Sequence, residues 1–375
     1  MRVLHLHSSF HAGGKELRCA KLINAFGKGI EHDIVSAIPD ALDAHEAISP
    51  HMKVRYPRDF PSLQGKPLPR RLERIARALL GYDLVLTYNW GAMDAVMAHT
   101  LLGPRMGLPP LVHHEDGFNH DEAVKLKTTR NWYRRVALVH AEALVVPSRR
   151  LEEIALNTWA QPRAKVHRIA NGIQTAAYGR KPRRDALPRV IKHEDDLWIG
   201  TVAGLRPVKD LPLLVRAFST LPDNWQLVIL GEGPEREAII QQAIALDVGH
   251  RVHLPGFIAD PAKVIGLFDI FALSSQSEQF PISVVEAMAA GLPVASPGVG
   301  DVAAMVAAEN RPFIVSPGSE AELALALEKL AADPVLRRHV GAANQVRARA
   351  EYDEGTMVAA YRQVYARAMK RERFG

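Results

Sequence analysis

Short apolar runs alternate with longer stretches of helical period along the whole chain. In the first half, Val3–His7, Asp33–Ala37, Leu84–Thr87, Leu111–His114 and Ala143–Val146 read as strands. The second half repeats the scheme at Leu197–Val202, Gln226–Leu230, Val252–Leu254, Ile270–Leu273, Pro293–Ala295 and Phe313–Val315. Helical period fills stretches between them, such as Glu16–Phe26, Leu211–Leu221, Pro234–Leu246, Val284–Ala290 and Glu320–Ala332. Strand-helix alternation predicts parallel sheets with helices on both faces, and two such series predict two doubly wound α/β domains. Residues 172–196 are rich in Gly, Pro and charge and lack apolar period. They mark the join. The expected domains are 1–178 and 197–356, with 179–196 as linker and a helical stretch over 357–375. Open parallel sheets bind ligands beyond the carboxyl ends of their strands, so the expected site is a cleft between the two domains.

Composition narrows the class without naming a function. A length of 375 residues allows two domains, and 47% apolar with 23% charged residues is the composition expected of a soluble globular protein. Cys19 is the only cysteine. An internal disulfide and a thiolate metal cage are therefore excluded, and a reducing, cytoplasmic setting is expected. The opening MRVLHLHSSFHAGG shows no basic leader before a long apolar run, so no secretory signal is expected. No apolar run approaches the ~18 residues of a spanning helix.

The net charge of +6 is uneven. Residues 1–179 hold 24 Lys and Arg against 17 Asp and Glu, whereas residues 197–375 hold 17 against 20. Arg70, Arg71, Arg74 and Arg77 form one basic cluster, and Lys125, Lys127, Arg130, Arg134 and Arg135 a second. Solvated helix faces account for them equally with a surface for an anionic acceptor or anionic lipid at the inner face of a membrane. No nucleic-acid motif accompanies the charge, and no nucleic-acid partner is expected.

Three motifs carry chemistry. Glu278 and Glu286 stand eight positions apart in SEQFPISVVEAMAAGLPV, with a helix starting between them near Pro281. Free N–H groups at such a start favour an anion, and two carboxylates there could grip separate hydroxyls of one ligand. Second, Arg206 and Lys209 in GLRPVKD directly follow the strand IGTVAG. Two cations at a strand end could neutralise a diphosphate leaving group without a metal. Third, Gly13 and Gly14 lie between the first strand and first helix, where bare backbone can approach a phosphate or sugar. Neither this turn nor Gly231-Glu232-Gly233 is a dinucleotide fingerprint, and there is no P-loop.

Together with NGI at 171–173 and GEGPER at 231–236, these motifs resemble glycosyltransferase family 4 in order and across nearly the whole chain. The resemblance implies a GT-B architecture of two Rossmann-like domains facing each other across a cleft. The first would bind the acceptor, joined by a returning C-terminal helix, and the second the donor. It implies a retaining, metal-independent glycosyltransferase with no cofactor. A UDP- or GDP-sugar would be the donor, and a glycan or lipid-linked molecule of a bacterial envelope the acceptor. In this scheme Gly14 approaches the donor diphosphate, with Gly13 beside it, and Lys15 is an acceptor-side candidate. Arg206 and Lys209 bind the diphosphate, Glu278 the transferred sugar and Glu286 the ribose. Phe280, Pro281, Ile282 and Ser283 line the sugar and phosphate site, while Gly231, Gly233 and Phe257 lie near ribose and base. Where the family often has an active-site histidine, this chain has Asp116 within His113-His114-Glu115-Asp116. All four are therefore candidates for sugar contact or acceptor activation. His113, His120 and Asp121 offer metal-ligand atoms, but nothing fixes a ligand geometry and no metal is expected. A GT-B epimerase or hydrolase would share the donor contacts and release free sugar. A non-catalytic nucleotide-sugar binder would show no turnover.

Overall fold

The computed structural model describes residues 1–38, 40–117 and 126–375. It divides into two compact units, Met1–Ala170 with Met357–Gly375, and Asn171–Thr356.

The first unit is built on seven strands: β1 (Arg2–His7), β2 (Glu31–Ser36), β3 (Lys53–Arg55), β4 (Leu84–Tyr88), β5 (Leu111–His114), β6 (Ala143–Val146) and β7 (Val166–Arg168). Their order is β3-β2-β1-β4-β5-β6-β7, and every pairing is parallel. The order reverses between β1 and β4, so the loops leaving these two strands diverge and open a crevice at the carboxyl edge. Side-chain alternation along β1 sends Leu4 and Leu6 to one core, under the Pro69–Leu79 and Met93–Met106 helices. It sends Val3 to the other core, shared with Phe26 and with Tyr361 and Tyr365 of the Glu354–Ala368 helix. The Pro69–Leu79 helix starts on a proline that needs no N–H partner. It buries Leu72, Ile75, Ala76 and Leu79, the i, i+3, i+4, i+7 stripe of an amphipathic helix. The C-terminal helix is tied to the first unit by Arg362, whose guanidinium donates to the Ala25 carbonyl at 2.7 Å.

The second unit holds β8 (Leu197–Val202), β9 (Trp225–Leu230), β10 (Val252–Gly256), β11 (Ile270–Ala272), β12 (Val294–Pro297) and β13 (Ile314–Val315). Their order is β10-β9-β8-β11-β12-β13, again all parallel, with the reversal between β8 and β11. Residues 179–196, expected as linker, lie inside this unit. Leu187 is buried, and the Lys192 ammonium donates to the Leu267 carbonyl and to Asp269, both at 2.6 Å. Gly, Pro and charge here signal an absence of regular hydrogen-bond ladders, while the segment still packs.

Two details differ from the pattern reading. The strands β3 and β7 were not expected: each is three residues long and neither is an apolar run. Arg134, grouped with a solvated basic face, is fully buried. Arg70, Arg74, Arg77, Lys127 and Arg135 are exposed, Arg71 and Arg130 half-buried, and Lys125 lies outside the described residues. Among the described residues, no helix is long and apolar enough to cross a membrane.

Candidate functional site

In the second unit, the loop after β8 and the loop after β11 meet at the strand-order reversal. The first carries Arg206 and Lys209, the second Glu278. The Lys209 ammonium donates to Glu278 Oε1 at 2.5 Å, and the Ser275 hydroxyl donates to the same oxygen at 2.8 Å. The side chains of Lys209 and Glu278 are 15% and 13% exposed, so water screens their pairing only partly. Further bonds stitch the two loops together. Ser274 Oγ donates to the Lys209 carbonyl at 2.8 Å, and the Gln276 amide N–H to the Val208 carbonyl at 2.9 Å. Arg206 is exposed, and its guanidinium has no ion-pair partner among the described residues. One polar atom nearby is unmet: Gln279 Oε1 is buried without a hydrogen bond. The arrangement thus offers one free cation, one cation held by a carboxylate, and an open acceptor atom.

Gly231 and Gly233, expected near ribose and base, serve the backbone first. Both have positive φ, 147° and 155°. A Cβ at Gly231 would lie 1.9 Å from the Ala203 carbonyl oxygen, and one at Gly233 would lie 2.4 Å from that of Leu205. Only glycine lets the β9 loop press against the loop that leads to Arg206. Phe257, just past β10, is 73% exposed, an unusual setting for a large apolar ring.

The Ile282–Ala289 helix starts at Pro281 without a side-chain cap, leaving its first N–H groups to other partners. Glu286 sits in its second turn and accepts from the Tyr178 hydroxyl at 2.8 Å. Burial, with Glu286 adding to it, pushes the Tyr178 phenol far above its usual range, so it remains a donor. Ile282 and Ser283 are half-buried at the helix start. Phe280 is buried, its ring 5.7 Å from that of Tyr352, so it packs in the unit rather than presenting a free face.

The first unit departs further from expectation. The room left by Gly13 is taken by its own helix: a Cβ there would lie 2.8 Å from Glu16 Oε2. Glu16 in turn pairs with Lys15. His114 is buried, and both ring nitrogens are used. Nδ1 donates to the Thr87 carbonyl at 3.1 Å, and Nε2 accepts from Tyr365 Oη at 2.9 Å. Its ring stacks on Tyr88 with centroids 4.6 Å apart. Burial, reinforced by Arg18, lowers its pKa to about 3, so the ring is neutral and structural rather than a base. His113 and Glu115 are wholly buried on the opposite side of β5. His113 Nδ1 meets Thr87 Oγ1 at 2.8 Å, and Glu115 Oε2 accepts from Arg134 Nε at 3.0 Å. Neither is presented to an acceptor. Asp116 accepts from both terminal guanidinium nitrogens of Arg18, one bond at 2.8 Å. Burial alone would raise its pKa, but Arg18 outweighs that and holds the carboxyl below the usual range. A carboxylate so held is a weak base. His120 and Asp121 lie outside the described residues. His5, His7 and Cys19 are grouped with ligand atoms within 4.8 Å. However, His5 already bonds Tyr88 and His32, and burial pushes the Cys19 thiol up to about 12.

Sequence reasoning missed Ser275, Tyr178 and Arg18, the partners that orient Glu278, Glu286 and Asp116. Ser275 lies three residues before Glu278 and could have been flagged as a local partner. Tyr178 and Arg18 lie 108 and 98 positions from theirs, beyond any local pattern.

The chain matches two family models in tandem. Residues 12–177 match the one described as Glycosyltransferase Family 4, and residues 183–347 the one described as Glycosyl transferases group 1. It is 26% identical over 387 residues to a D-inositol 3-phosphate glycosyltransferase of Kribbella flavida, covering 94% of this chain and 91% of that one. It is 28% identical over 266 residues to a GDP-mannose-dependent alpha-mannosyltransferase of Mycobacterium tuberculosis, covering 68% and 66%. Among solved structures, Anabaena Alr3699/HepE in complex with UDP is similar at a TM-score of 0.80 and 22% identity, covering 98% of this chain and 100% of that one. With two parallel sheets of matching strand order and both halves accounted for, the chain belongs to glycosyltransferase family 4, the group 1 glycosyltransferases, on the GT-B fold.

Proposed function

We propose that the protein transfers a sugar from a nucleoside-diphosphate sugar, with retention of anomeric configuration and without a divalent metal. The acceptor is a glycan or lipid-linked molecule of a bacterial envelope polysaccharide, lipopolysaccharide or glycolipid. One observation carries the reading: the loop that holds Arg206 and Lys209 meets the loop of Glu278 at the strand-order reversal of the second sheet, with Lys209 bonded to Glu278. A diphosphate sugar would give Lys209 an anion and Glu278 hydroxyl donors, so each would exchange one polar partner for another at little desolvation cost. UDP in the Anabaena complex and GDP-mannose in the name of the mycobacterial relative support a UDP- or GDP-sugar donor.

In this reaction the acceptor hydroxyl oxygen forms a bond to C1 on the face from which the diphosphate departs. The C1–O bond to the diphosphate breaks, and the hydroxyl proton passes to the departing phosphate oxygen. Arg206 and Lys209 neutralise the charge that grows on the diphosphate. Glu278 holds sugar hydroxyls, Glu286 the ribose hydroxyls with Tyr178 orienting it, and Phe257 offers a face to the base. No side chain of the first unit needs to act as a base, which fits the engaged states of His114 and Asp116. Exposed Arg70, Arg74, Arg77, Lys127 and Arg135, with Trp132 69% exposed between them in sequence, support contact with an anionic membrane surface.

Calorimetric titration with UDP, GDP, ADP, TDP and CMP in EDTA tests donor binding, and proton NMR of the first product tests the anomer. Selective binding of one diphosphate and a retained anomer are expected. Failure of every nucleotide to bind, or an inverted product, would overturn the reading. Rapid release of free sugar without acceptor would instead mark a hydrolase or epimerase.

A further inference from the structure

We infer that the Tyr178 hydroxyl is a positioning group that makes the donor site select a ribonucleoside diphosphate over its 2′-deoxy counterpart. This rests on the reading that Glu286 meets the ribose, and adds to it the group that fixes the carboxylate and the donor class that follows. Both residues belong to the second unit.

The Ile282–Ala289 helix buries Val284, Val285, Ala287, Met288 and Ala289. Ile282, Ser283 and Glu286 are half-buried. Spacings of three and four residues put these on one face of the helix. The face begins at the uncapped helix start, where free N–H groups favour an anion. Glu286 lies three residues beyond Ser283, about 4.5 Å along the axis at ~1.5 Å per residue. A diphosphate seated at the helix start therefore brings the ribose, joined to it through C5′, toward the Glu286 carboxylate.

A glutamate carboxylate has only a weak preference about its last torsion and turns broadly when nothing holds it. Here one oxygen is held, because Tyr178 Oη donates to Glu286 Oε1 at 2.8 Å. A carboxylate offers about four lone-pair sites, of which Tyr178 uses one. With its plane set, its two oxygens match two neighbouring hydroxyls, which ribose presents and 2′-deoxyribose does not. Sugars linked to 2′-deoxythymidine diphosphate are poor donors on this account.

Tyr178 is itself braced. It closes the Thr175–Tyr178 helical turn and is buried. Thr175 Oγ1 donates to Asp353 Oδ2 at 2.6 Å. The Ile173 N–H donates to the Tyr352 carbonyl at 3.0 Å, and the Glu354 N–H to the Ile173 carbonyl at 2.8 Å. The phenol thus arrives on a fixed turn, and Glu286 is ordered before nucleotide binds rather than at its expense. For packing alone a phenylalanine ring would serve. A buried hydroxyl is costly unless it is bonded, and this one is bonded to Glu286.

The test is calorimetric titration of the full chain with UDP, GDP and their 2′-deoxy forms. Wild type is compared with Tyr178→Phe, which removes one oxygen and keeps the ring, and urea unfolding checks the fold. Wild type is expected to bind a ribonucleotide on the order of tenfold more tightly than its 2′-deoxy form. In Tyr178→Phe the ribonucleotide weakens more than the 2′-deoxy form, and the ratio falls to about twofold. Glu286→Asp keeps the charge but shortens the reach to Tyr178, is expected to lose the same ratio, and serves if the phenylalanine variant does not fold. A wild-type ratio near one would overturn the inference. So would a ratio that survives in the folded variant while both nucleotide forms weaken equally, which is the mark of a structural role alone. Either result leaves nucleotide binding, and with it the donor reading, standing. Failure of every nucleotide to bind would sink the donor reading and the inference together.

Discussion

Replacing Lys209 by methionine keeps the length and most of the apolar stem of the side chain while removing its ammonium. In the structure that ammonium is bonded to Glu278, and Ser275 holds the same carboxylate oxygen. Glu278 therefore keeps one donor in Lys209→Met, and the fold is expected to survive. What is lost is a hydrogen bond between charged groups, worth ~1.5–3 kcal/mol when it meets the diphosphate. At ~1.4 kcal/mol per decade this converts to a loss of roughly 10- to 150-fold in kcat/KM for the donor. The assay is the initial rate of nucleoside-diphosphate release against donor concentration, with urea unfolding as the check on folding. Glu278→Gln supplies the second leg. Because Lys209 and Glu278 share a bond, the double variant should lose less than the two single losses combined, with a coupling of ~0.5–3 kcal/mol. A folded Lys209→Met protein with wild-type kcat/KM would refute the reasoning. So would strict additivity, because it would mean that the pair does not act on one ligand.

The other predictions concern how each unit holds its site. Gly233→Ala puts a Cβ 2.4 Å from the Leu205 carbonyl at a positive φ, so the β8 loop must shift. Weakened nucleotide binding and a stability loss of ~1–3 kcal/mol are expected by calorimetry and urea unfolding, and an unperturbed variant would contradict the packing argument. Arg18→Met strands the buried Asp116 carboxylate and should cost ~3–5 kcal/mol, whereas Arg18→Met with Asp116→Leu should regain most of it. Stability that does not recover in the double variant would show that the pair is not the cause. His32 and His114 have pKa values lowered by burial to about 4 and about 3, so the unfolded chain binds more protons below ~6.5. Their contribution is complete above that pH and fades as pH falls toward the folded values, by ~2 kcal/mol each at pH 5. Native-state hydrogen exchange of the first unit at pH 7.5 and pH 5 reads this, and equal stability at the two would exclude it.

How much of this was legible in the sequence depended on whether the determining contact was local. β8, β9 and β11 are near-continuous apolar runs because both faces of a parallel sheet are covered, and such runs were readable. Lys53–Arg55 was not, since β3 is an edge strand with polar, exposed ends. The positions of Arg206, Lys209 and Glu278 beyond strand ends followed from the pattern of the second half. Their meeting did not, because only the reversal of strand order between β8 and β11 makes the two loops neighbours. The lesson of His113-His114-Glu115-Asp116 is different, for there the sequence held an unused signal. These residues continue an extended strand, and alternation sends His113 and Glu115 to one face and His114 and Asp116 to the other. The structure obeys it: His113 Nε2 lies 3.7 Å from Glu115 Oε2, whereas His114 turns to Tyr88 and Tyr365 and Asp116 to Arg18. Four side chains on an alternating strand could not have shared one acceptor. Each face instead found its own buried partners.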